Sequence, residues 1–173
     1  MALRIPTRSG DNNETNNNSH TSCFELAVDD AGVWHLTRPH LTLAPETRYF
    51  APANLRAAAE DDAYRALVAE YVARGYTLRY CGGLVPDVAH MLVMAQGVYV
   101  SPVTAKSKAK LRRLYEVCPL ALVVECAGGR AVDPVDGRGV LEREVTGCGE
   151  RGGLVCGSAG AVEEAVGRLL ARE

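Results

Sequence analysis

The basic segment at residues 106–116, which reads KSKAKLRRLYE, contains the side chains best suited to chemistry. Five of its first eight residues are basic: Lys106, Lys108, Lys110, Arg112 and Arg113. They precede or open a predicted helix, whose free N–H groups and dipole favour anions. A phosphate bound here would meet backbone donors, a lysine charge and an arginine fork. A solvated basic face is the alternative interpretation, and the spacing alone does not exclude it.

Glu116 follows Arg112 by four residues, so on a helix the two side chains share one face. Such a pair is ordinarily a surface ion pair, worth about 0.3–0.5 kcal/mol. The functional interpretation is a carboxylate that binds Mg²⁺ beside an arginine that holds a phosphoryl group. One carboxylate does not make a catalytic magnesium site, so this interpretation requires further ligands.

Two other segments could contact a phosphate. Residues 77–88, TLRYCGGLVPDV, predict a strand that delivers Arg79 and Tyr80 into a Gly-Gly turn before a helix. The alternative is an ordinary strand–helix turn with Tyr80 in the core. Asn54 lies ahead of the next predicted helix, where it either caps a turn or donates to a phosphate oxygen. The four histidines form no cluster, and we assign them no catalytic role.

Alternating strand and helix patterns must position these side chains. Strands are predicted at residues 23–28, 33–36, 77–80, 98–100, 130–132 and 154–156. Helices are predicted at residues 60–74, 84–96, 110–127 (with a break near Pro119) and 159–172. Residues 29–32, DDAG, predict a hairpin turn between the first two strands. The alternation predicts an α/β fold, a mixed β-sheet flanked by helices.

Composition narrows the class of protein. The chain has 173 residues and 47% hydrophobic content, which suits one domain with a real core. Its formal net charge of -2 gives no excess of base for nucleic acid, so any anion site must be local. We predict that the Asn- and Ser-rich residues 1–21 are disordered and that residues 22–173 form the domain. No apolar run is long enough to span a membrane, so we expect no membrane partner.

The six cysteines form no C-x-x-C pair and no zinc-like spacing with histidine. Most of them lie in apolar stretches. Buried free thiols are therefore the favoured interpretation over disulfides, and we expect a reducing compartment.

Three segments in a fixed order resemble a known family. They are RYFAPANLR at 48–56, AYRALVAEYVARGYTLRYCGGLVPDV at 63–88 and KAKLRRLYEVCPLALVVECAGG at 108–129, with a late GS at 157–158. Together they are similar to class I sugar bisphosphatases, and the resemblance covers roughly residues 22–172. The Asn-Leu-Arg and Gly-Gly-Leu-Val-Pro stretches favour the sedoheptulose-1,7-bisphosphatase branch over fructose-1,6-bisphosphatase. The fold implied is the C-terminal domain of the sugar bisphosphatase fold.

The resemblance implies roles for substrate-binding residues. Lys110 would bind the phosphate distal to the one that is cleaved, with Asn54 and Tyr80 assisting. Arg79 would reach the site of a neighbouring subunit, since the family forms homo-oligomers. Leu84 would lie against the sugar. Ser101 stands where fructose bisphosphatases place a tyrosine.

For the reacting end, the resemblance implies Arg112 as the catalytic residue near the cleaved phosphate and Glu116 as one metal carboxylate. The implied reaction is Mg²⁺-dependent hydrolysis of the 1-phosphate of sedoheptulose-1,7-bisphosphate or fructose-1,6-bisphosphate. The other metal ligands belong to an N-terminal half, with a D-P-[LI]-D-G-S motif, that has no counterpart here. The nearest similar stretch, VDPVDGR at 132–138, has Arg138 in place of the serine.

We therefore expect a fragment of a sugar bisphosphatase that has no activity alone and whose exposed apolar face drives self-association. The alternatives are a non-catalytic sugar-phosphate-binding module and a plain α/β scaffold. The resemblance, rather than any clear targeting signal, implies a chloroplast location, and the alternative is the cytoplasm.

Overall fold

The computed structural model describes residues 2–3 and 22–171 of the chain. The strands in chain order are β1 (Ala2–Leu3), β2 (Cys23–Val28), β3 (Trp34–Leu41), β4 (Tyr49–Pro52), β5 (Thr77–Leu78), β6 (Val98–Ser101), β7 (Leu111–Arg112), β8 (Arg130–Val132), β9 (Arg151–Gly152) and β10 (Leu154–Gly157). The α-helices are α1 (Asp62–Ala73), α2 (Leu84–Val93), α3 (Cys118–Cys126) and α4 (Ala159–Leu170). Short 3₁₀ turns occupy Leu55–Ala59 and Val140–Glu142, and a π-helical turn occupies Arg113–Val117. Apart from residues 2–3, which pair with β2, the segment predicted to be disordered lies outside the described residues.

Five strands form a mixed sheet in the order β5-β4-β6-β10-β8. Strand β4 runs parallel to β5 and β6, whereas β10 is antiparallel to β6 and β8. Helices cover both faces of this sheet, which confirms the predicted fold class. Within the described ranges, no helix is both long enough and apolar enough to cross a membrane.

Alternate residues of the central strands pack on opposite faces of the sheet, as strand geometry requires. Phe50 and Val98 belong to the cluster that includes the apolar faces of α1 and α4. Ala51 and Tyr99 belong to the cluster that includes α2 and α3. The core is therefore two layers, one on each side of the sheet.

The predicted hairpin is confirmed, and β3 is longer than expected because its pairing with β2 continues to Leu41. The Asp29 carboxylate closes the turn by accepting hydrogen bonds from the backbone N–H groups of Ala31 and Val33, at 3.0 and 2.9 Å. Strand β4 was not predicted. Its sequence, YFAP, contains a proline, which argues against a strand.

The helix predicted over 110–127 is wrong for its first residues. Residues 111–112 form β7, which pairs with β9, and the backbone N–H of Arg113 donates to the carbonyl of Glu150 at 2.9 Å. The chain turns helical only from Arg113, and Pro119 lies in the first turn of α3. The predicted helical placement is therefore wrong for Lys110, which lies in the loop between β6 and β7, and for Arg112, which belongs to β7.

All six cysteines are free thiols. Burial is confirmed for Cys23, Cys126 and Cys156, but Cys81 and Cys148 are exposed. Burial without hydrogen-bond donors raises the pKa of the Cys156 thiol to about 12.

Candidate functional site

One cavity lies where the loops after β5, β4 and β6 meet. These neighbouring strands are parallel, so their carboxyl ends point to the same edge of the sheet. The cavity has a volume of about 360 Å³, within the size range of small-molecule sites. Its lining residues are Ala53, Asn54, Leu55, Arg56, Tyr80, Gly82, Leu84, Tyr99, Ser101, Pro102, Lys108, Ala109, Lys110 and Leu111.

All the charged residues that line the cavity are cations. Arg56, Lys108 and Lys110 line it, and no aspartate or glutamate is among the lining residues. None of these three cations forms an ion pair within residues 22–171. Uncompensated positive charge beside low-dielectric walls attracts a small anion.

The structure brings four of the predicted substrate-binding residues together in this cavity: Asn54, Tyr80, Leu84 and Lys110. They come from three separate segments of the chain. Their shared position follows from the parallel order of β5, β4 and β6, which no single segment of the sequence reveals.

Arg79, Arg112 and Glu116 lie outside the lining of this cavity. The Arg79 guanidinium is stacked over the Tyr49 ring, 5.1 Å from its centre. Arg112 is stacked over Tyr115 at 5.6 Å. Arg112 and Glu116 do not share a helix face, because Arg112 belongs to β7. Instead, the Glu116 carboxylate accepts a hydrogen bond from the Arg112 backbone N–H at 2.6 Å.

Asn54 adopts a left-handed backbone conformation, with φ of 52°, which asparagine tolerates better than most residues. Its side-chain amide donates to the carbonyl oxygens of Pro102 at 3.0 Å and Ser107 at 3.2 Å. Its buried Oδ1 has no hydrogen-bond partner among the described residues. In this arrangement the Asn54 donors hold the loop after β6.

The turn after β5 presents Tyr80 to the cavity. Gly82, with φ of 89°, supplies a backbone conformation that favours glycine. The Asp87 carboxylate accepts a hydrogen bond from the Cys81 backbone N–H at 2.7 Å and so fixes the turn to α2. Partial burial, followed by the nearby Asp87 charge, raises the pKa of the Tyr80 phenol. Tyr80 is therefore a protonated hydrogen-bond donor at neutral pH.

Arg113 is not part of the cavity, although it belongs to the basic segment. It is only 4% exposed, with Nη2 2.9 Å from Asp133 Oδ2 and Nε 2.8 Å from Glu150 Oε1. A Cβ atom at Gly152 would lie 2.7 Å from Arg113 Nη2, so the glycine leaves room for the guanidinium. Asp133, in the stretch that resembles a metal-binding motif, is thus used in a buried ion pair.

The residues present do not fit a complete metal site. Nowhere in the described ranges do three or more His, Cys, Asp or Glu side chains lie in a group that could hold a metal ion. Glu116 is the one carboxylate that the resemblance implies for this role, and one carboxylate is insufficient for Mg²⁺.

Of the cavity cations, Arg56 was given no role in the sequence analysis, and Lys108 was predicted only as a member of the basic segment. Both occur within stretches that carry the family resemblance, and that was the available signal. Their convergence on Lys110 depends on the loop after β6 folding against the 3₁₀ turn after β4.

The fold and the cavity define a class: α/β domains with a basic cleft at the carboxyl ends of parallel strands. The chain belongs to the fructose-1,6-bisphosphatase family, because the family model for "Fructose-1-6-bisphosphatase, C-terminal domain" matches residues 43–169.

Individual relatives agree with this assignment. The chain is 40% identical over 142 residues to a chloroplastic sedoheptulose-1,7-bisphosphatase of Chlamydomonas reinhardtii, covering 81% of this chain and 36% of that protein. A solved Toxoplasma gondii structure, described as a sedoheptulose-1,7 bisphosphatase, superposes with a TM-score of 0.81 at 37% identity, covering 86% of this chain and 45% of that one. A Leishmania major fructose-1,6-bisphosphatase gives a TM-score of 0.73 at 28% identity, with 83% and 45% coverage. The chain therefore spans less than half the length of these relatives.

Proposed function

We propose that this chain supplies the sugar-phosphate-binding half of a sugar bisphosphatase. The substrate would be sedoheptulose-1,7-bisphosphate or fructose-1,6-bisphosphate, and the 1-phosphate would be hydrolysed. The observation that carries the proposal is the convergence of Asn54, Tyr80, Leu84 and Lys110 on one basic cavity.

The cavity chemistry suits the phosphate that is not cleaved. Lys110 and Lys108 offer ammonium charges, Arg56 offers a planar fork, and the Tyr80 phenol offers a hydroxyl donor. Leu84 gives an apolar surface for the carbon chain of the sugar. Asn54 contributes by holding the loop that carries the lysines.

Arg112 and Glu116 would serve the reacting end, with Arg112 near the cleaved phosphate. Their separation from the cavity lining agrees with a ligand that has two phosphate groups apart from one another. We further propose that hydrolysis requires Mg²⁺ with ligands from outside the described residues. Arg79, exposed at the end of β5, would serve a neighbouring subunit in a homo-oligomer.

A non-catalytic sugar-phosphate-binding module is the second candidate. The observation that favours it is a developed basic cavity in a chain whose described residues lack a metal-binding group. The chloroplastic relatives support a chloroplast location for either candidate.

Two measurements on the purified chain test the proposal that it binds a sugar phosphate and does not hydrolyse it alone. Calorimetric titration with sedoheptulose-1,7-bisphosphate tests binding, and a phosphate-release assay with the same ligand and Mg²⁺ tests hydrolysis. We expect binding without release from the chain alone. Release by the chain alone would contradict the need for outside metal ligands, and absence of binding would contradict both candidates.

A further inference from the structure

The loop that carries the cavity lysines is held by two side chains from one short segment. From one side, Asn54 donates to the carbonyl oxygens of Pro102 and Ser107. From the other side, the Glu60 carboxylate accepts hydrogen bonds from the Thr104 hydroxyl, from the Ser107 backbone N–H at 3.3 Å and from the Ser107 hydroxyl at 3.2 Å. The loop after β6 is therefore fastened to the 3₁₀ turn Leu55–Ala59, which bears Arg56.

Glu60 lies on the outer side of this loop. It lines a separate depression together with Asp61, Asp62 and Thr104, and it is not among the residues of the basic cavity. The loop thus has carboxylates on one side, while Lys108 and Lys110 line the cavity on the other. The Thr104 hydroxyl is the main cause that lowers the pKa of Glu60, so this carboxylate is ionised at neutral pH.

A carboxylate near an anion site weakens anion binding by Coulomb repulsion. Glu60 also accepts the loop hydrogen bonds described above, and these act on anion binding in the opposite direction. An unfastened loop would lose backbone freedom each time a ligand bound, whereas a fastened loop has already lost it.

We propose that Glu60 is a positioning residue of the cavity: it fastens the loop after β6 so that Lys108 and Lys110 line the anion site before the ligand arrives. This inference rests on the proposed function, since it assigns Glu60 to the same site.

The two possible effects of Glu60 have opposite signs, which makes the test decisive. The full chain and its variants Glu60→Ala, Glu60→Gln and Asp62→Asn are titrated calorimetrically with fructose 6-phosphate. Asp62→Asn is the matched control, because Asp62 lies in the same depression and bonds to Arg65 rather than to the loop. Thermal unfolding of each variant verifies that it is folded.

We expect Glu60→Ala to raise the Kd about tenfold. This is the effect expected from losing about one hydrogen bond to a charged group that restrains the loop. Glu60→Gln should raise the Kd less, because its amide oxygen still accepts one bond. Asp62→Asn should leave the Kd unchanged or lower it. If Glu60→Gln and Glu60→Ala instead lower the Kd as Asp62→Asn does, Glu60 acts only through its charge and the proposal is overturned.

Amide hydrogen exchange at Ser107 separates this proposal from the proposed function. We expect Glu60→Ala to accelerate Ser107 exchange at least about tenfold, while Asp62→Asn leaves it unchanged. A wild-type chain that binds no sugar phosphate would contradict the proposed function. Faster exchange in Glu60→Ala would still show that Glu60 restrains the loop after β6. Unchanged Ser107 exchange in both Glu60 variants overturns the proposal whatever the ligand titration gives.

Discussion

Lys110 and Lys106 occupy the same loop, yet only Lys110 lines the cavity. Lys108 also lines the cavity, whereas Lys106 is exposed and is not among the lining residues. Arg56, from the 3₁₀ turn after β4, lines the same cavity and has no carboxylate partner in the described part of the chain. At the scale of single residues, the account therefore assigns anion binding to particular cations rather than to the whole basic segment.

Replacing Lys110 by alanine should weaken binding of fructose 6-phosphate by about 10- to 100-fold. That range corresponds to about 1.5–3 kcal/mol for hydrogen bonds to a charged group. Calorimetric titration measures the change. Lys106→Ala is the control, and it should change the Kd less than about twofold, since surface charges contribute little. Equal effects of the two substitutions would indicate a diffuse basic surface instead of a site.

Arg113→Met should destabilise the fold, because it leaves Asp133 buried with a distant partner, Arg143, at 3.7 Å. Breaking a buried ion pair costs about 3–5 kcal/mol. Urea unfolding measures the loss against Arg130→Met, whose pair with Glu163 is exposed and worth about 1 kcal/mol or less. The account of the Arg113 cluster is wrong if the two variants lose equal stability.

Low pH should reduce the free energy of unfolding through Glu150, which pairs with Arg113. Hydrogen bonds from Thr146, with the Arg113 charge, lower the pKa of Glu150 below its ordinary 4.5. A depressed folded-state pKa means that the stability Glu150 contributes is present above pH 4.5 and is lost as the pH falls through the folded-state value. Urea unfolding at a series of pH values should therefore show a smaller acid loss for Glu150→Gln than for the wild type. The exposed Glu144→Gln is the control and should follow the wild-type profile, and coincidence of all three profiles would contradict the assignment.

Among the elements, the long helical patterns were predicted well, and so were the short apolar strands β6, β8 and β10, whereas β4 and β7 were not predicted. Helices α1, α2 and α4 show helical spacing of apolar residues, and the predicted segments overlap the observed ones closely. Strand β4 contains a proline and β7 has only two residues, so neither has the apolar pattern of a strand. Both form because they pair with distant strands. Strand β4 lies between β5 and β6 and pairs with both in parallel. Strand β7 takes up residues that were predicted to be helical, so the lysines before it lie in a loop. These two elements therefore determine the geometry of the cavity.

The β2–β3 hairpin presents an apolar surface to solvent. Val28 pairs with Trp34 and Leu26 with Leu36, so these side chains share one face. Trp34 is 64% exposed and Leu36 58%. Exposed apolar groups of this size mark association surfaces.

We expect the purified chain to self-associate through this hairpin face. Light scattering should show a mass that rises with concentration, and the double substitution Trp34→Ser and Leu36→Ser should reduce that rise. Val72→Ser, at an exposed apolar position on α1, is the control and should leave association unchanged. A monomeric wild type at all concentrations, or equal effects of both changes, would contradict the prediction.

At the scale of the whole molecule, the sequence was sufficient for the fold class and the family, because ordered motifs over most of the domain carry both. It also identified four residues that the structure brings to one cavity. It did not separate Arg113 from its basic neighbours, since burial against Asp133 and Glu150 depends on a loop far along the chain. The fastening of the basic loop by Glu60 was likewise hidden, because Glu60 and Ser107 are 47 residues apart.

The central claim is that the cavity at the carboxyl edge of β5, β4 and β6 binds the phosphate of a sugar phosphate. The most direct test is NMR titration of the isotope-labelled chain with fructose 6-phosphate, using fructose as the phosphate-free control. The account predicts saturable shifts of the backbone amides of Arg56, Gly82 and Lys110 with the phosphate ester, and none with fructose. Shifts confined to other parts of the chain, equal shifts with fructose, or no shifts at all would contradict it.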